Sequence, residues 1–297
     1  MITWVAALGL DLIAGEPSPR AHPVVWIGRL IAWLEARAPH GPRSQLLYGV
    51  GIAAVPAGAA ALFGMALGAV RPRALRVIIT VWTLKTTFSV RALLDASRSV
   101  EERLVADDLD GARESLRSLV SRDCGALDHA HVASAAVESV AENLSDSFVA
   151  PLFWYVIGGL PAALAYRAIN TADAMVGYRG RYEYLGKASA RADDVANYVP
   201  ARLTGLALVG GARLARTDAR ASAQVMLREH ARTASPNAGW PMAAAAGALD
   251  IWLEKIDHYR LGQGRDPGVA DIRAMRAMLI AAAGLCTVVA FGARTRH

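Results

Sequence analysis

What most constrains this chain is where charge is missing. Ser44 to Val70 is a run of 27 residues without Asp, Glu, Lys or Arg, bracketed by Arg43 and Arg71. Ser147 to Tyr166 gives 20 such residues, and Ala277 to Ala293 gives 17. A hydrocarbon layer about 30 Å thick is crossed by roughly 20 helical residues, so all three runs are candidate transmembrane helices. A soluble helix of that length would carry a charged face, and Ser44–Val70 has none. Arg76 to Arg91, apolar apart from Lys85, is a weaker candidate, and Leu203–Ala212 is too short to cross unaided. Ile2–Ala14 carries Asp11 and no basic leading region, so it reads as a buried amphipathic or half-spanning helix, not as a cleaved signal peptide.

Apolar residues make up 54% of the chain and charged ones 20%. That balance excludes a disordered polypeptide, and it means the charges must gather between the spans. Cys124 and Cys286 lie too far apart in sequence for a disulfide framework or a cysteine-rich zinc site. The net charge of +6 is almost all arginine, because Lys85, Lys187 and Lys255 are the only lysines. These basic residues interleave with acids and form no stripe, which argues against a nucleic-acid partner. Between Val90 and Leu119 apolar residues recur every three or four positions, interrupted at Asp107-Asp108, so the polar segments are helical as well. The expected fold is all-α: a multi-pass integral membrane protein with extramembrane amphipathic helices, forming one domain over residues 1–297.

The polar residues form four clusters. Gly15 to Pro23 (Gly-Glu-Pro-Ser-Pro-Arg-Ala-His-Pro) is a turn-rich loop. Ser121-Arg122-Asp123 is followed by Glu138, Glu142 and Asp146, which at i, i+4 and i+8 share one helix face. Stacked carboxylates need a cation, either an arginine or Mg²⁺ shared with substrate phosphates. The third cluster runs from Arg167 through Asn170, Asp173, Arg179, Arg191, Asp193, Asp194 and Asn197 to Arg202. Arginine beside glycine suits phosphate or carboxylate, and Asp193, Asp194 and Asn197 present oxygens at one-turn spacing, as a Mg²⁺–phosphate grip requires. No Gly-x4-Gly-Lys-Ser/Thr loop exists, so any ATP binds without one. Ser235 to Met242 (Ser-Pro-Asn-Ala-Gly-Trp-Pro-Met) is a shaped loop entering a small-residue helix.

Taken in order, Ser-Arg-Asp, Val-Glu-Ser-Val-Ala-Glu-Asn-Leu-Ser-Asp, Ala-Pro-Leu-Phe-Trp, Asn-Thr-Ala-Asp-Ala-Met-Val-Gly-Tyr-Arg, Ala-Arg-Ala-Asp-Asp-Val-Ala-Asn-Tyr-Val-Pro-Ala-Arg-Leu and Ser-Pro-Asn-Ala-Gly-Trp-Pro make a specific signature. The chain resembles the cobalamin-biosynthesis family CobD or CbiB, adenosylcobinamide-phosphate synthase, from about Asp11 past Gly262. It departs from the pattern at Cys124, where a threonine is expected, and the segment after Leu249 is only loosely similar.

The resemblance implies a ligase in the cell membrane with its active site facing the cytoplasm. It would join the free propionate of adenosylcobyric acid to (R)-1-amino-2-propanol or its phosphate, with ATP as co-substrate and Mg²⁺ as cofactor. On that reading Glu138, Glu142, Asp146, Asp193 and Asp194 hold Mg²⁺–ATP. Arg122, Arg179, Arg191, Arg202, Asn197 and Asn237 hold substrate or phosphate groups. Asn170 and Asp173 orient the amine, with Asp173 as its base. Membrane lipid is the surrounding partner, and the sequence leaves open a homo-oligomer or a complex with other enzymes of the pathway.

Topology adds a constraint, because ATP reaches one face only. If Ser147–Tyr166 crossed as a straight helix, the second and third clusters would lie on opposite sides. Pro151, Gly158, Gly159 and Pro161 instead predict a broken or re-entrant segment, or a third cluster set in a cavity within the membrane. Two rival classes share some of these features. Intramembrane prenyltransferases hold Mg²⁺-diphosphate on Asp-rich motifs that Asp193-Asp194-x-x-Asn197 matches loosely. Ion- or proton-coupled transporters place carboxylates within spans, whereas the charges here flank them.

Overall fold

A computed structural model describes residues 1–178 and 180–294. In chain order the helices are α1 (Ile2–Ala14), α2 (Pro23–Glu35), α3 (Pro42–Ala66), α4 (Arg73–Lys85), α5 (Val90–Val105), α6 (Leu109–Leu116) and α7 (His129–Leu144). There follow α8 (Ala150–Val176), α9 (Lys187–Ala196), α10 (Tyr198–Leu214), α11 (Ala219–Glu229) and α12 (Gly239–Leu249). A hairpin of β1 (Leu253–Lys255) and β2 (Tyr259–Leu261) comes next, and α13 (Val269–Arg294) closes the chain. Asp108, Asp128 and Asp218 cap α6, α7 and α11 by accepting hydrogen bonds from backbone N–H groups of the first turn.

Four helical stretches are long and apolar enough to cross a membrane: Pro42–Ala69, Arg73–Val105, His129–Val176 and Val269–Gly292. The protein is all-α and of membrane type, as the charge-free runs predict. Packing shows the same thing from the other side. The residues α3 buries are mostly small (Gly49, Ala53, Pro56, Ala60 and Gly64, with Ile52), while Leu47, Val50, Val55, Leu62 and Met65 are exposed. Small residues inward and large apolar ones outward suit lipid, where helices associate by close backbone approach. Gly64 makes that approach visible, since a methyl group built there would meet the Pro161 backbone of α8 at 2.9 Å.

The chain forms two compact units, each drawn from separate stretches of sequence. Among the described residues the first comprises 1–89 and 150–197, and the second 90–149 and 198–294. In the first unit α8 is not straight. Gly158 (φ −130°, ψ 16°) and Gly159 (φ 66°, ψ −158°) leave helical geometry, and Pro161 removes the next N–H donor. The break predicted from Gly158, Gly159 and Pro161 is therefore present. In the second unit α7 passes into a π-helical turn over Ser145–Val149, and the Glu101 carboxylate, on α5, is held by Arg273 and Arg276 of α13.

The first unit also contains a buried ion cluster. Lys85 Nζ lies 3.2 Å from Asp11 Oδ1 and 2.8 Å from Glu16 Oε1, and Glu16 Oε2 lies 3.0 Å from His22 Nε2. Burial alone would raise the Glu16 pKa, but hydrogen bonds from His22, Lys85 and Ser89 and the lysine charge outweigh it and hold it at about 2. A lowered native pKa contributes stability above the unfolded value near 4.5, lost as pH falls toward 2. We expect Glu16→Gln to lose about 1–2 kcal/mol at neutral pH, the carboxylate's 35% exposure having been discounted. Thermal melts in detergent check this: wild type and variant should draw together as pH falls from about 4.5 toward 2, and parallel curves would refute the assignment.

Candidate functional site

The first unit brings the third sequence cluster together around Asp193, near the end of α9. Its Oδ1 accepts from Asn170 Nδ2 at 3.2 Å and its Oδ2 from Asn197 Nδ2 at 3.0 Å. Asn197 is buried, and its own oxygen accepts from the Tyr166 hydroxyl at 2.9 Å. Arg167 donates to Asn170 Oδ1 at 3.1 Å. The result is one carboxylate with both oxygens braced from two helices. The carboxyl groups of Asp173 and Asp194 stand close enough to interact with it electrostatically. Burial pushes the pKa of Asp193 up, with Asp194 adding to the effect, and burial pushes Asp194 up as well. Three carboxyl groups gathered under partial burial repel one another, and an arriving cation relieves that repulsion.

Magnesium ordinarily takes one or two carboxylates and completes its octahedron with water and phosphate oxygens. Among the described residues no three His, Cys, Asp or Glu side chains converge to hold an ion alone. Adjacent Asp193 and Asp194 meet the lesser requirement: each Asp193 oxygen keeps lone-pair capacity beyond its amide bond, and Asp194 is about 29% exposed. The residues thus fit a metal that a phosphate shares. The five carboxylates read together from sequence divide between the units, with Glu138, Glu142 and Asp146 in the second.

In the second unit a cavity of about 320 Å³ is lined by Arg122, Glu138, Glu142, Lys255 and Tyr259, among others. Arg122 Nη2 lies 3.4 Å from Glu138 Oε1, so an arginine sits against this acidic face. Asp146 does not line the cavity, because the π turn starts at Ser145 and changes the helical phase after Glu142. Lys255 and Tyr259 come from the hairpin, where they are directly paired across the strands and so face the same way. The Glu254 N–H donates to Ser134 Oγ at 2.9 Å, tying the hairpin to α7.

The remaining sequence-predicted residues fall as follows. Arg202 packs over the Tyr198 ring at 3.5 Å and the Trp240 ring at 4.9 Å, and donates to Asn237 Oδ1 at 3.3 Å, so the two residues meet each other. Arg191 is exposed and lies 3.7 Å from Asp194. Arg179 lies outside the described residues. Asn170 and Asn197 both donate to Asp193. Cys124, next to the Ser-Arg-Asp motif, is buried, and burial pushes its thiol pKa up. Sequence reasoning missed Lys255 and Tyr259, and it missed the Lys85–Asp11–Glu16 cluster. A lone lysine in an otherwise apolar stretch was the available signal for the latter.

Comparison with known proteins agrees with the signature. The family described as CobD/Cbib protein matches residues 4–284. The chain is 40% identical to "Cobalamin biosynthesis protein CobD" of Dehalococcoides mccartyi, over 97% of this chain and 95% of that one. It is 44% identical to the protein of the same name in Geobacter metallireducens (86% and 81% covered) and 41% identical to that of Rhodobacter capsulatus (96% and 95%). No solved structure matches it. With the family matched over residues 4–284 and a relative 40% identical over 97% of this chain, the chain belongs to the CobD/Cbib family.

Proposed function

We propose that this protein acts in cobalamin biosynthesis as an ATP-dependent ligase. It converts adenosylcobyric acid and an amino alcohol, as its phosphate or free, to adenosylcobinamide phosphate or adenosylcobinamide at the cytoplasmic face of the cell membrane. Amide formation from a carboxylate at neutral pH needs an activated acyl group. Transfer of the γ-phosphoryl group of ATP to the propionate gives an acyl phosphate and ADP. Attack of the amine nitrogen on the acyl carbon then releases phosphate and a proton. Such transfers depend on positioning and on neutralising charge at the moving phosphoryl group. The observation that carries this reading is the Asp193 carboxylate, braced on both oxygens beside Asp194 in a member of this family.

On this reading Asp193 and Asp194 hold Mg²⁺, which when bound neutralises the phosphates it shares with them. Asn170 and Asn197 fix the aim of Asp193, and Arg167 fixes Asn170. Asp173, electrostatically coupled to both aspartates, belongs to the same phosphate half of the site rather than to the amine. Membranes containing the protein, supplied with adenosylcobyric acid, amino-alcohol phosphate and Mg-ATP, should yield amide and ADP in equal amounts. No amide under those conditions overturns the reading, and a prenyltransferase or a transporter would give none.

A further inference from the structure

The cavity of the second unit is charged in both senses. Arg122 and Lys255 supply two cations, and Glu138 and Glu142 supply two carboxylates. Glu138 is only 6% exposed, yet its Oε2 has no hydrogen-bond partner; Arg122 meets Glu138 through Nη2, 3.4 Å from Oε1, and leaves its buried Nε without one. Buried polar atoms of opposite sign left unmet around one space mark a place where something polar completes them. The loop opposite is wall rather than grip: Ser235 Oγ already accepts from the N–H groups of Asn237 and Ala238, and Thr233 donates to the Ser235 carbonyl.

An anion alone would meet two carboxylates here, and a metal ion alone would meet two cations. A ligand with one end of each sign satisfies both halves. A volume of about 320 Å³ is at the small end for small-molecule sites, which suits a ligand of few heavy atoms and excludes a corrinoid. We infer that this cavity is the subsite for an aminoalkyl phosphate. Arg122 and Lys255 hold its phosphate, and Glu138 and Glu142 hold its ammonium. Tyr259 acts as a positioning residue. Its hydroxyl lies 3.8 Å from Met242 Sδ and against the Glu138 carboxylate. Burial and the negative charge of Glu138 and Glu142 raise its pKa, so it stays a neutral donor and fixes Glu138. This assignment rests on the ligase reading for the identity of the acceptor, and it moves Glu138 and Glu142 from the nucleotide to the amine.

Isothermal titration of the purified full chain in detergent, without ATP or corrinoid, tests it. The probes are 2-aminoethyl phosphate, inorganic phosphate and ethanolamine. The first should bind at least tenfold more tightly than either of the others. Lys255→Met should weaken 2-aminoethyl phosphate and inorganic phosphate by a similar factor, about 10- to 100-fold, and Lys255→Arg should restore most of it. Glu142→Gln should weaken 2-aminoethyl phosphate about tenfold and leave inorganic phosphate unchanged or tighter. Tyr259→Phe should weaken 2-aminoethyl phosphate alone. The assignment is overturned if no probe binds the wild type, if Lys255→Met binds normally, if Glu142→Gln weakens both phosphates equally, or if Mg-ATP displaces 2-aminoethyl phosphate. Intact binding with no amide in the membrane assay defeats the ligase reading and leaves the subsite standing. Amide formation by Lys255→Met with an unchanged KM for the aminoalkyl phosphate does the reverse.

Discussion

Asp194→Asn is expected to lower amide formation by about 10³-fold or more while the protein stays folded, and Asp193→Asn is expected to lose both activity and stability. The difference follows from what each carboxylate touches. Asp194 is partly exposed and lies 3.7 Å from the exposed Arg191, so an isosteric amide in its place is expected to leave the fold intact. On the reading proposed above, what it loses is a carboxylate ligand for the Mg²⁺ that would neutralise the phosphates. Groups that neutralise charge on a moving phosphoryl group contribute 10²- to 10⁵-fold in comparable enzymes. Asp193 instead accepts one amide N–H on each oxygen. An asparagine there keeps a single acceptor, so either Asn170 or Asn197 faces another NH₂ group, at a cost of about 1–3 kcal/mol. Turnover, Mg²⁺ dependence and melting temperature, measured on both variants, separate the roles. Wild-type turnover in Asp194→Asn would remove it from the site, and equal melting temperatures would deny Asp193 its bracing role.

How much of this was legible in the sequence depended on how far apart the interacting residues lie along the chain. The spans could be read because absence of charge is a one-dimensional signal, and the break in α8 because Gly158-Gly159 and Pro161 act through their own backbone. Asn197 stood one turn from Asp193, so their proximity was legible but not its use, since the partner that completes the brace, Asn170, comes from α8. The i, i+4 spacing brings Glu138 and Glu142 to one cavity, whereas Asp146 falls in the π turn of Ser145–Val149, which nothing in its residues announces. The hairpin was invisible for a different reason. Strands of three residues are shorter than any alternating pattern can establish, so Lys255 and Tyr259 went unnoticed although they line the cavity of their unit.

Lys85 is the second residue whose replacement should have a large effect, and the argument is one of burial. Its side chain is about 1% exposed, Asp11 is fully buried, and Trp4 packs 4.5 Å from Phe88 and 5.7 Å from Tyr155 in the same unit. Lys85→Met removes the cation and leaves Asp11 and Glu16 without it. Breaking a buried ion pair from one side costs about 3–5 kcal/mol, because a desolvated charge is left without its partner. For a chain of this size that is a fall in melting temperature of about 10 °C. Replacing the pair by apolar groups of similar volume is often neutral, so Lys85→Met combined with Asp11→Leu should recover most of the loss. Glu16 keeps His22 and solvent in that double variant. Activity per folded molecule should be retained in it, because neither residue belongs to the group of side chains braced around Asp193. A single variant melting within 2 °C of wild type, or a double variant no better than the single, would show that the cluster does not hold the first unit together.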